Sequence, residues 1–575
     1  MARWRLVATL VAALAACGLP MLVAAQSVVP GELNNAARSG ENFLRQQQEI
    51  QQQQQLDRER ANQAPGGAPL PESRPAPSAA PAEGECVEAK ELEIVGARLL
   101  SKKQIARLRG SVVGHCVGVR ELNALLRQIT DLYVSKGYIT TRAYIPPQNT
   151  KTGQLSIVVI EGKVERIEIK PRGSANAATA FPGMTGQVFN LRDAEQGIDQ
   201  LNRLPSNNAK IDIRPGSTPG ASVLEIDNAA GRRITGALSA DDTGSNATGL
   251  WQGTASLNID NPLRINDGLL VSYTHNLDSP GQGPGMSRAV AASYSVPYGW
   301  WTGNLMYSET AYESLVKGVT RNFDTSGKDR NETARFSRVA YRDQSRKLTF
   351  YADIARRDEQ NFVAGQRINA SSRVLTVLDL AANLSMAWGQ SLWTFDAGVS
   401  RGVHWLGALR DAADLPGNVP HAQFLKTTAG VGVSRGFQLG DVRAQVSSNV
   451  SAQWTNSVLF PSEQIAISGP FAVRGFRDVS LFGDRGALWR NELGFPIPLP
   501  SPSGFPIMLR PFVGADAGKV WAHDGLPGGY LTSDTAGLGL NFGRVHAEVS
   551  WSGSAFRSTN LAPDHYFFAR LAASF

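Results

Sequence analysis

The chain is poor in cysteine, histidine and charge, and these shortages exclude several kinds of site. Three cysteines occur in 575 residues, without a Cys-x-x-Cys pair, and the seven histidines are scattered. Because a protein metal site needs several such ligands close together, we expect no metal and no other cofactor. Charged residues make up 19% of the chain, and the lysines and arginines behind its net charge of +7 form no basic stripe. Nucleic acid is therefore not an expected partner.

The chain also lacks a motif for ATP use and a catalytic grouping of histidine, serine and acid. No loop of the G-x-x-x-x-G-K-[ST] type occurs, so the sequence offers no phosphate cradle for ATP. The histidines do not group with a serine and an acid along the chain, so no catalytic residue is predicted. We expect a protein that binds or transports and that is not an enzyme.

Long apolar runs are confined to the start of the chain. A basic beginning, an apolar middle and small residues before Gln26 predict a secretory signal in residues 1–25, cut between Ala25 and Gln26. Processing at Cys17, as in a lipoprotein, is the alternative, but the apolar run continues past Cys17 to Ala25. Since no run of about 18 apolar residues follows, any later membrane span must consist of strands that close into a barrel.

Two low-complexity segments come next. Glutamine fills eight of the ten positions from Gln46 to Gln55. Residues 26–60 favour a helix that is polar on every side and therefore lies in water. A disordered glutamine tract is the alternative. Six prolines between Pro65 and Pro81 make residues 61–84 a semi-rigid, extended linker.

Two small α+β modules are predicted after the linker. In residues 85–163 a strand precedes two helices, the first opened by the capping box Ser101-x-x-Gln104, and two further strands follow. Residues 164–230 repeat this theme in a shorter form, with Asn190 capping the helix. Small modules in series without catalytic residues are typical of adaptors.

Cys86 and Cys116 are the cysteines that remain once the signal is removed with Cys17. An even pair in an oxidising compartment favours a disulfide between them. Two free buried thiols are the alternative.

Residues 231–575 follow a different pattern, in which polar and apolar residues alternate. Near the end of the chain, Val549 and Trp551 share one face of a strand, whereas His546 and Glu548 share the other. A soluble sandwich would need a dry interior. Charged faces of this kind suit an aqueous lumen, and the apolar faces suit lipid, so a membrane β-barrel is predicted. The segment has room for roughly 14 to 18 antiparallel strands, and the number should be even.

The last ten residues, YFFARLAASF, alternate in the same way and end in Phe575. A terminal aromatic strand of this kind resembles the insertion signal of bacterial outer-membrane barrels. We therefore expect outer-membrane lipid and the barrel-assembly machinery among the partners.

A bare strip of barrel wall is predicted around Asp516. In the stretch PFVGADAGKVW, one face carries Phe512, Gly514, Asp516 and Gly518, and the apolar residues between them suit lipid. Asp516 therefore points into the lumen. The glycines on both sides leave the wall bare, as close approach of another backbone requires.

The stretch Val473-Arg474-Gly475-Phe476 is the candidate for the segment that lies against this wall. Arg474 has the opposite charge to Asp516, and a loop folded into the pore would bring the two together as a bidentate pair. Gly475 would permit a tight loop tip, and Phe476 would pack beside it. The alternative is that Arg474 is an ordinary loop charge and Asp516 an ordinary lumen residue.

The chain resembles the two-partner secretion transporters in four features taken together. They are the VRGF stretch at 473–476, the F-x-G-x-D-x-G stretch at 512–518, the two modules and the terminal phenylalanine. These are the haemolysin and filamentous-haemagglutinin secretion proteins of the outer-membrane barrel-assembly superfamily. The resemblance implies two periplasmic POTRA domains, a barrel of 16 antiparallel strands and an N-terminal helix, residues 26–60, that plugs the pore. It also implies that Arg474 and Asp516 pair inside the barrel and lock the loop.

The function that the resemblance implies is protein transport. The chain would be an outer-membrane pore, with its modules in the periplasm, that captures and translocates one large secreted β-helical partner through the partner's N-terminal secretion domain and without ATP. An outer-membrane assembly or insertion factor is the rival, because it shares the motifs. Such a factor usually carries more adaptor domains than the two found here.

Overall fold

The fold comprises two α+β modules that lead into a closed barrel. A computed structural model describes residues 86–149, 152–278, 285–317, 322–477, 479–501, 504–524, 526–558 and 561–575. The predicted signal with its cut between Ala25 and Gln26, the polar segment 26–60 and the linker 61–84 lie outside the described residues.

The first module packs two helices on a three-stranded sheet. Its elements are, in chain order, strands Val87–Glu88 and Glu91–Val95, helix Lys102–Gly110, strand Cys116–Val117, helix Val119–Val134, and strands Arg142–Tyr144 and Gln154–Ile160. Gln154–Ile160 is the middle strand, parallel to Glu91–Val95 and antiparallel to Arg142–Tyr144. Ser101 accepts a hydrogen bond from the Gln104 N–H, so a capping box opens the first helix.

A disulfide joins Cys86 to Cys116, whose Cα atoms are 5.4 Å apart. The short strand Cys116–Val117 pairs with Val87–Glu88, which brings the two cysteines side by side. The segment between them contains the whole first helix. The bridge therefore ties the start of the module to the connection between its two helices.

The second module is a sheet of three strands covered by one long and one short helix. Its elements are strand Lys163–Lys170, helices Ala177–Ala180 and Leu191–Asn202, and strands Ala209–Pro215 and Ala221–Asn228. Asn190 caps the long helix by accepting a hydrogen bond from the Arg192 N–H at 2.8 Å. The short helix escapes prediction because four residues carry too little periodicity. None of the helices in the described part of the chain is long and apolar enough to cross a membrane.

The long helix of the second module docks against the turns at one end of the barrel. Arg342 Nη1 lies 2.6 Å from Asp199 Oδ2. Trp300 Nε1 donates a hydrogen bond to Asp193 at 3.1 Å, and burial in this interface raises the pKa of Asp193. These contacts define a module rim of the barrel, and the opposite end is called the far rim below.

Over the described ranges, 16 long antiparallel strands close into the barrel. In chain order they are Ile234–Asp241, Gln252–Asp260, Gly268–Asn276, Gly285–Tyr298, Trp301–Lys317, Asn322–Arg342, Arg346–Val363, Arg373–Trp388, Ser391–Val403, Leu425–Leu439, Val442–Thr455, Gly486–Gly494, Ile507–Val520, Gly529–Phe542, Val545–Arg557 and His565–Ser574. Two short strands, Gln366–Arg367 and Ile497–Leu499, extend neighbouring hairpins. The last strand pairs with the first, which closes the sheet.

The barrel turns its apolar side chains outward. Trp551 and Val549 are 53% and 44% exposed, whereas Ser550 and Ser552 are 7% and 1% exposed. The predicted orientation, with apolar residues toward lipid and polar residues toward an aqueous lumen, is therefore confirmed together with the barrel itself.

Several strands are longer than a membrane requires. Asn322–Arg342 has 21 residues, whereas a crossing needs about 9 to 11. The additional strand residues extend beyond the membrane at the far rim, where Glu309 on the outer face forms ion pairs with Lys328 and Arg330. The length of a strand cannot be predicted from the alternation of polar and apolar residues. A strand that extends above the bilayer keeps its backbone hydrogen bonds to its neighbours, but its outer face becomes charged there.

Candidate functional site in the barrel lumen

One connection at the far rim folds back into the barrel. It comprises residues 456–485, here called the lumen loop, between strands Val442–Thr455 and Gly486–Gly494. Within it, Ile465–Ala466 pairs with Phe482–Gly483 as a short hairpin. Apolar residues of the loop and of the inner wall form one buried cluster, which contains Ile467, Val473, Phe476, Val520 and Leu531.

Arg474 and Asp516 form a bidentate ion pair in the lumen. Nε and Nη2 of Arg474 lie 2.7 Å and 3.0 Å from Oδ2 and Oδ1 of Asp516. The backbone N–H of Arg474 donates to the same carboxylate at 3.2 Å. Arg474 is 7% exposed and Asp516 is 3% exposed. Removing one partner of such a buried pair costs about 3 to 5 kcal/mol, whereas an exposed pair is worth about 0 to 1 kcal/mol.

Three glycines let the loop and the wall approach each other. A Cβ on Gly514 would lie 2.2 Å from Arg474 Nη2, and a Cβ on Gly518 would lie 2.8 Å from Ile467 Cβ. Gly475 has a φ of 93°, in the left-handed region that favours glycine. A side chain at any of these positions would push the loop from the wall or strain its tip.

Apolar side chains surround the ion pair. Val473 is 0% exposed, Phe476 1% and Phe512 3%. The Phe512 ring lies against Gly537 of the next strand, where a Cβ would be 2.3 Å from the ring Cζ. Arg510 also lies over this ring, with its guanidinium carbon 5.1 Å from the ring centroid. The low local dielectric that these groups create strengthens the ion pair.

Two further charges belong to this cluster, and sequence reasoning misses both. Glu492 Oε2 lies 3.0 Å from Arg474 Nη1, and Glu492 also forms an ion pair with Arg510. Glu492 faces Gly514 across the ladder between their strands. Recognising that these strands are neighbours would have pointed to Glu492, because a bare glycine leaves room beside it for a second carboxylate.

The stem of the lumen loop is tied to a different part of the wall. Glu463 is 1% exposed, and its carboxylate forms ion pairs with Arg357 and with Lys426, the latter at 2.8 Å. Arg357 lies on strand Arg346–Val363, and Lys426 lies on strand Leu425–Leu439. The loop is therefore held both at its stem and at its tip.

Phe575 lies at the module end of the seam between the first and last strands. Its backbone N–H donates to the Gly236 carbonyl at 2.9 Å, and the Gly236 N–H donates to the Phe575 carbonyl at 3.1 Å. The Phe575 ring covers Gly236, where a Cβ would lie 2.4 Å from the ring Cζ. The end of the chain therefore takes part in closing the barrel.

Two stretches match the G-x-S-x-G pattern of serine hydrolases, at residues 398–402 and 432–436. They lie within the barrel strands Ser391–Val403 and Leu425–Leu439. A nucleophile elbow needs a sharp turn between a strand and a helix, which a barrel strand does not provide. Neither match therefore supports hydrolase chemistry.

A membrane barrel with a loop held in its lumen and two α+β modules at one rim defines the class of outer-membrane protein transporters. The family model described as "Haemolysin secretion/activation protein ShlB/FhaC/HecB" matches residues 220–540, which is more than half of the chain. The chain belongs to this family. A "POTRA domain, ShlB-type" model matches residues 87–162, and a "POTRA domain" model matches residues 163–215.

Characterised relatives agree with this assignment. The outer membrane transporter CdiB of Dickeya dadantii is 32% identical over 415 residues, 72% of this chain and 73% of that protein. The hemolysin transporter protein ShlB of Serratia marcescens is 28% identical over 481 residues, 84% of this chain and 84% of that protein. The structure of CdiB from Escherichia coli superposes with a TM-score of 0.83 at 29% identity, covering 95% of this chain and 99% of that one.

The predicted function and location are therefore confirmed at the level of the class. The chain is an outer-membrane transporter of the two-partner secretion type, and its POTRA domains lie in the periplasm. The module rim is the periplasmic rim.

Proposed function

We propose that the transporter captures one unfolded secreted protein and passes it through the lumen when the lumen loop is released. The observation behind this proposal is the buried ion pair between Arg474 and Asp516, which holds the loop in the path of the cargo. Its bonds are strong in the apolar surroundings but are not covalent, so they can part and form again. The pair would thus act as a reversible lock.

The partner that we propose is a large β-helical protein, recognised through its N-terminal secretion domain. The first module offers the edge strand Glu91–Val95, and the second offers Lys163–Lys170. Glu91, Glu93 and Val95 are exposed on the first of these strands. An extended segment added there would gain affinity from backbone hydrogen bonds and selectivity from the side chains.

Export without ATP requires that the partner gain stability outside the cell. A β-helix grows by stacking one repeat on the next, and each repeat buries apolar surface against its neighbour. A chain that folds in this way outside cannot slide back through the lumen in its folded form. Its folding therefore favours outward movement.

We also propose roles for the remaining segments. Residues 26–60, freed by the cut between Ala25 and Gln26, would plug the pore at rest, and residues 61–84 would tether the plug. The functional units would be the POTRA domains at 85–163 and 164–230 and the barrel at 231–575. Phe575 would guide insertion into outer-membrane lipid by the barrel-assembly machinery.

Export of a large secreted partner encoded by a neighbouring gene tests the proposed lock. Cells that make both proteins should release the partner. Cells with the Arg474→Ala variant should insert the barrel normally but release little, because the proposed lock must form again as well as part. Arg485→Ala is a matched control, because Arg485 lies in the same loop but contacts the Thr455 carbonyl at 2.6 Å and the Trp454 ring, away from Asp516. Normal export by the Arg474→Ala variant would remove the lock from the mechanism.

A further inference from the structure

The seam between the first and last barrel strands is short. Five residue pairs form its ladder, from Arg570 beside Asp241 to Ser574 beside Ala237. The last strand pairs with the preceding strand over nine residues. Because the first strand ends at Asp241, the far-rim half of the last strand extends beyond the seam ladder. Backbone groups there need other hydrogen-bond partners.

Asp242 and Arg477 supply those partners. The Ala569 N–H donates to Asp242 Oδ1 at 2.9 Å, and the Asp242 N–H donates to the Ala569 carbonyl at 3.2 Å. Arg477 Nη2 donates to the Phe567 carbonyl at 2.8 Å and to Asp242 Oδ2 at 2.6 Å. The Arg477 guanidinium also lies over the Tyr566 ring, 4.1 Å from its centroid.

These groups are largely enclosed by protein. The Arg477 and Asp242 side chains are 12% and 5% exposed, and Tyr566 is 3% exposed. One guanidinium nitrogen thus joins a carboxylate that follows the first strand to a carbonyl of the last strand. Charge-assisted bonds of this kind are roughly twice as strong as neutral ones.

Arg477 belongs to the lumen loop and follows Arg474 by three residues. Three residues span at most about 10 Å even when fully extended. The loop therefore cannot move far from Asp516 without drawing Arg477 away from Asp242. Lipid outside the barrel offers no replacement donor for the Phe567 carbonyl.

We propose that Arg477 is a positioning residue that clasps the barrel seam to the lumen loop, so that loop release and parting of the seam at the far rim occur together. Arg477, Asp242 and Phe567 form this seam clasp. The inference rests on the proposed release of the loop during transport. It adds that the barrel wall itself loosens at one defined place when the loop leaves.

Nitroxide labels across the seam test the clasp in the full-length protein in lipid vesicles. Cysteines at Ala240 and Leu571, which are register partners, would place the two labels close enough for dipolar broadening while the seam is closed. Arg477→Ala should raise roughly tenfold the fraction of the spectral signal that shows no dipolar broadening, which reports the molecules with a parted seam. Arg474→Ala should also raise it, because the loop is released, although Arg474 contacts neither seam strand in the described residues. Arg485→Ala should leave the spectrum unchanged.

Asp242→Asn approaches the same contact from the other strand and conserves size. It should raise the unbroadened fraction as Arg477→Ala does, and it decides the matter if the Arg477→Ala variant fails to insert. If Arg477→Ala or Asp242→Asn inserts into the membrane and its spectrum is unchanged, the proposed seam clasp is overturned. If Arg474→Ala abolishes export while the seam of Arg477→Ala stays closed, the proposed function stands and only the clasp fails. A parted seam in Arg477→Ala with normal export in Arg474→Ala supports the clasp and removes the lock.

Discussion

The guanidinium of Arg474 and the carboxylate of Asp516 meet through two charge-assisted hydrogen bonds although 42 residues separate them along the chain. One residue lies in a loop that turns into the pore, and the other lies on a strand of the wall. Their contact depends on space as well as on charge, because Gly514 leaves the wall bare where the guanidinium lies. The charges of the pair and the free space beside Gly514 can therefore be tested by separate substitutions.

The two carboxylates that contact Arg474 should differ in importance. From Arg474, Asp516 accepts two guanidinium bonds and one backbone bond, whereas Glu492 accepts one guanidinium bond. We expect Asp516→Asn to destabilise the locked loop by about 3 kcal/mol and Glu492→Gln by about 1 kcal/mol. Protease cleavage of the loop in inserted barrels would measure this difference. Equal cleavage of the two variants would contradict the assignment of Asp516 as the main partner.

Gly514→Ala tests the spatial requirement without changing any charge. The new methyl group would lie 2.2 Å from Arg474 Nη2, so the loop must shift, at a cost of about 1 to 3 kcal/mol. We expect faster protease cleavage of the lumen loop and lower export. Gly436→Ala is the control, because a Cβ at Gly436 meets no atom within 4 Å. Similar behaviour of the two variants would show that the bare wall is unimportant.

The sequence predicts the two ends of the lock because each lies in a local pattern. Asp516 has flanking glycines on its own face of a strand, and Arg474 is followed by a glycine at the loop tip. Glu463 and Glu492 escape prediction for a physical reason. Their pairings with Arg357 and Arg474 follow no local pattern and depend on which strands lie side by side around the barrel. Alternation identifies strands but does not measure how far they rise above the membrane.

The disulfide between Cys86 and Cys116 should stabilise the first POTRA domain. It closes a segment with a sequence separation of 30, and a bridge of that kind contributes about 2 to 4 kcal/mol. We expect Cys86→Ser to lower the unfolding temperature of this domain while the barrel remains unaffected. Reducing agent should slow the gel migration of the denatured mature protein. Identical migration together with labelling of free thiols would contradict the bridge.

Deletion of residues 31–60 should raise the single-channel conductance in planar bilayers. A helix that is polar on every side has no face for a hydrophobic core, and a water-filled lumen is an environment that suits it. Shortening the proline-rich segment between residues 65 and 81 is the control, because it changes the tether and keeps the plug. Adding Asp516→Asn to the deletion should raise the conductance further, since the loop and the plug would block the pore separately. An unchanged conductance after the deletion would rule out a plug, and a double variant no more conductive than the deletion alone would show that the loop does not narrow the open pore.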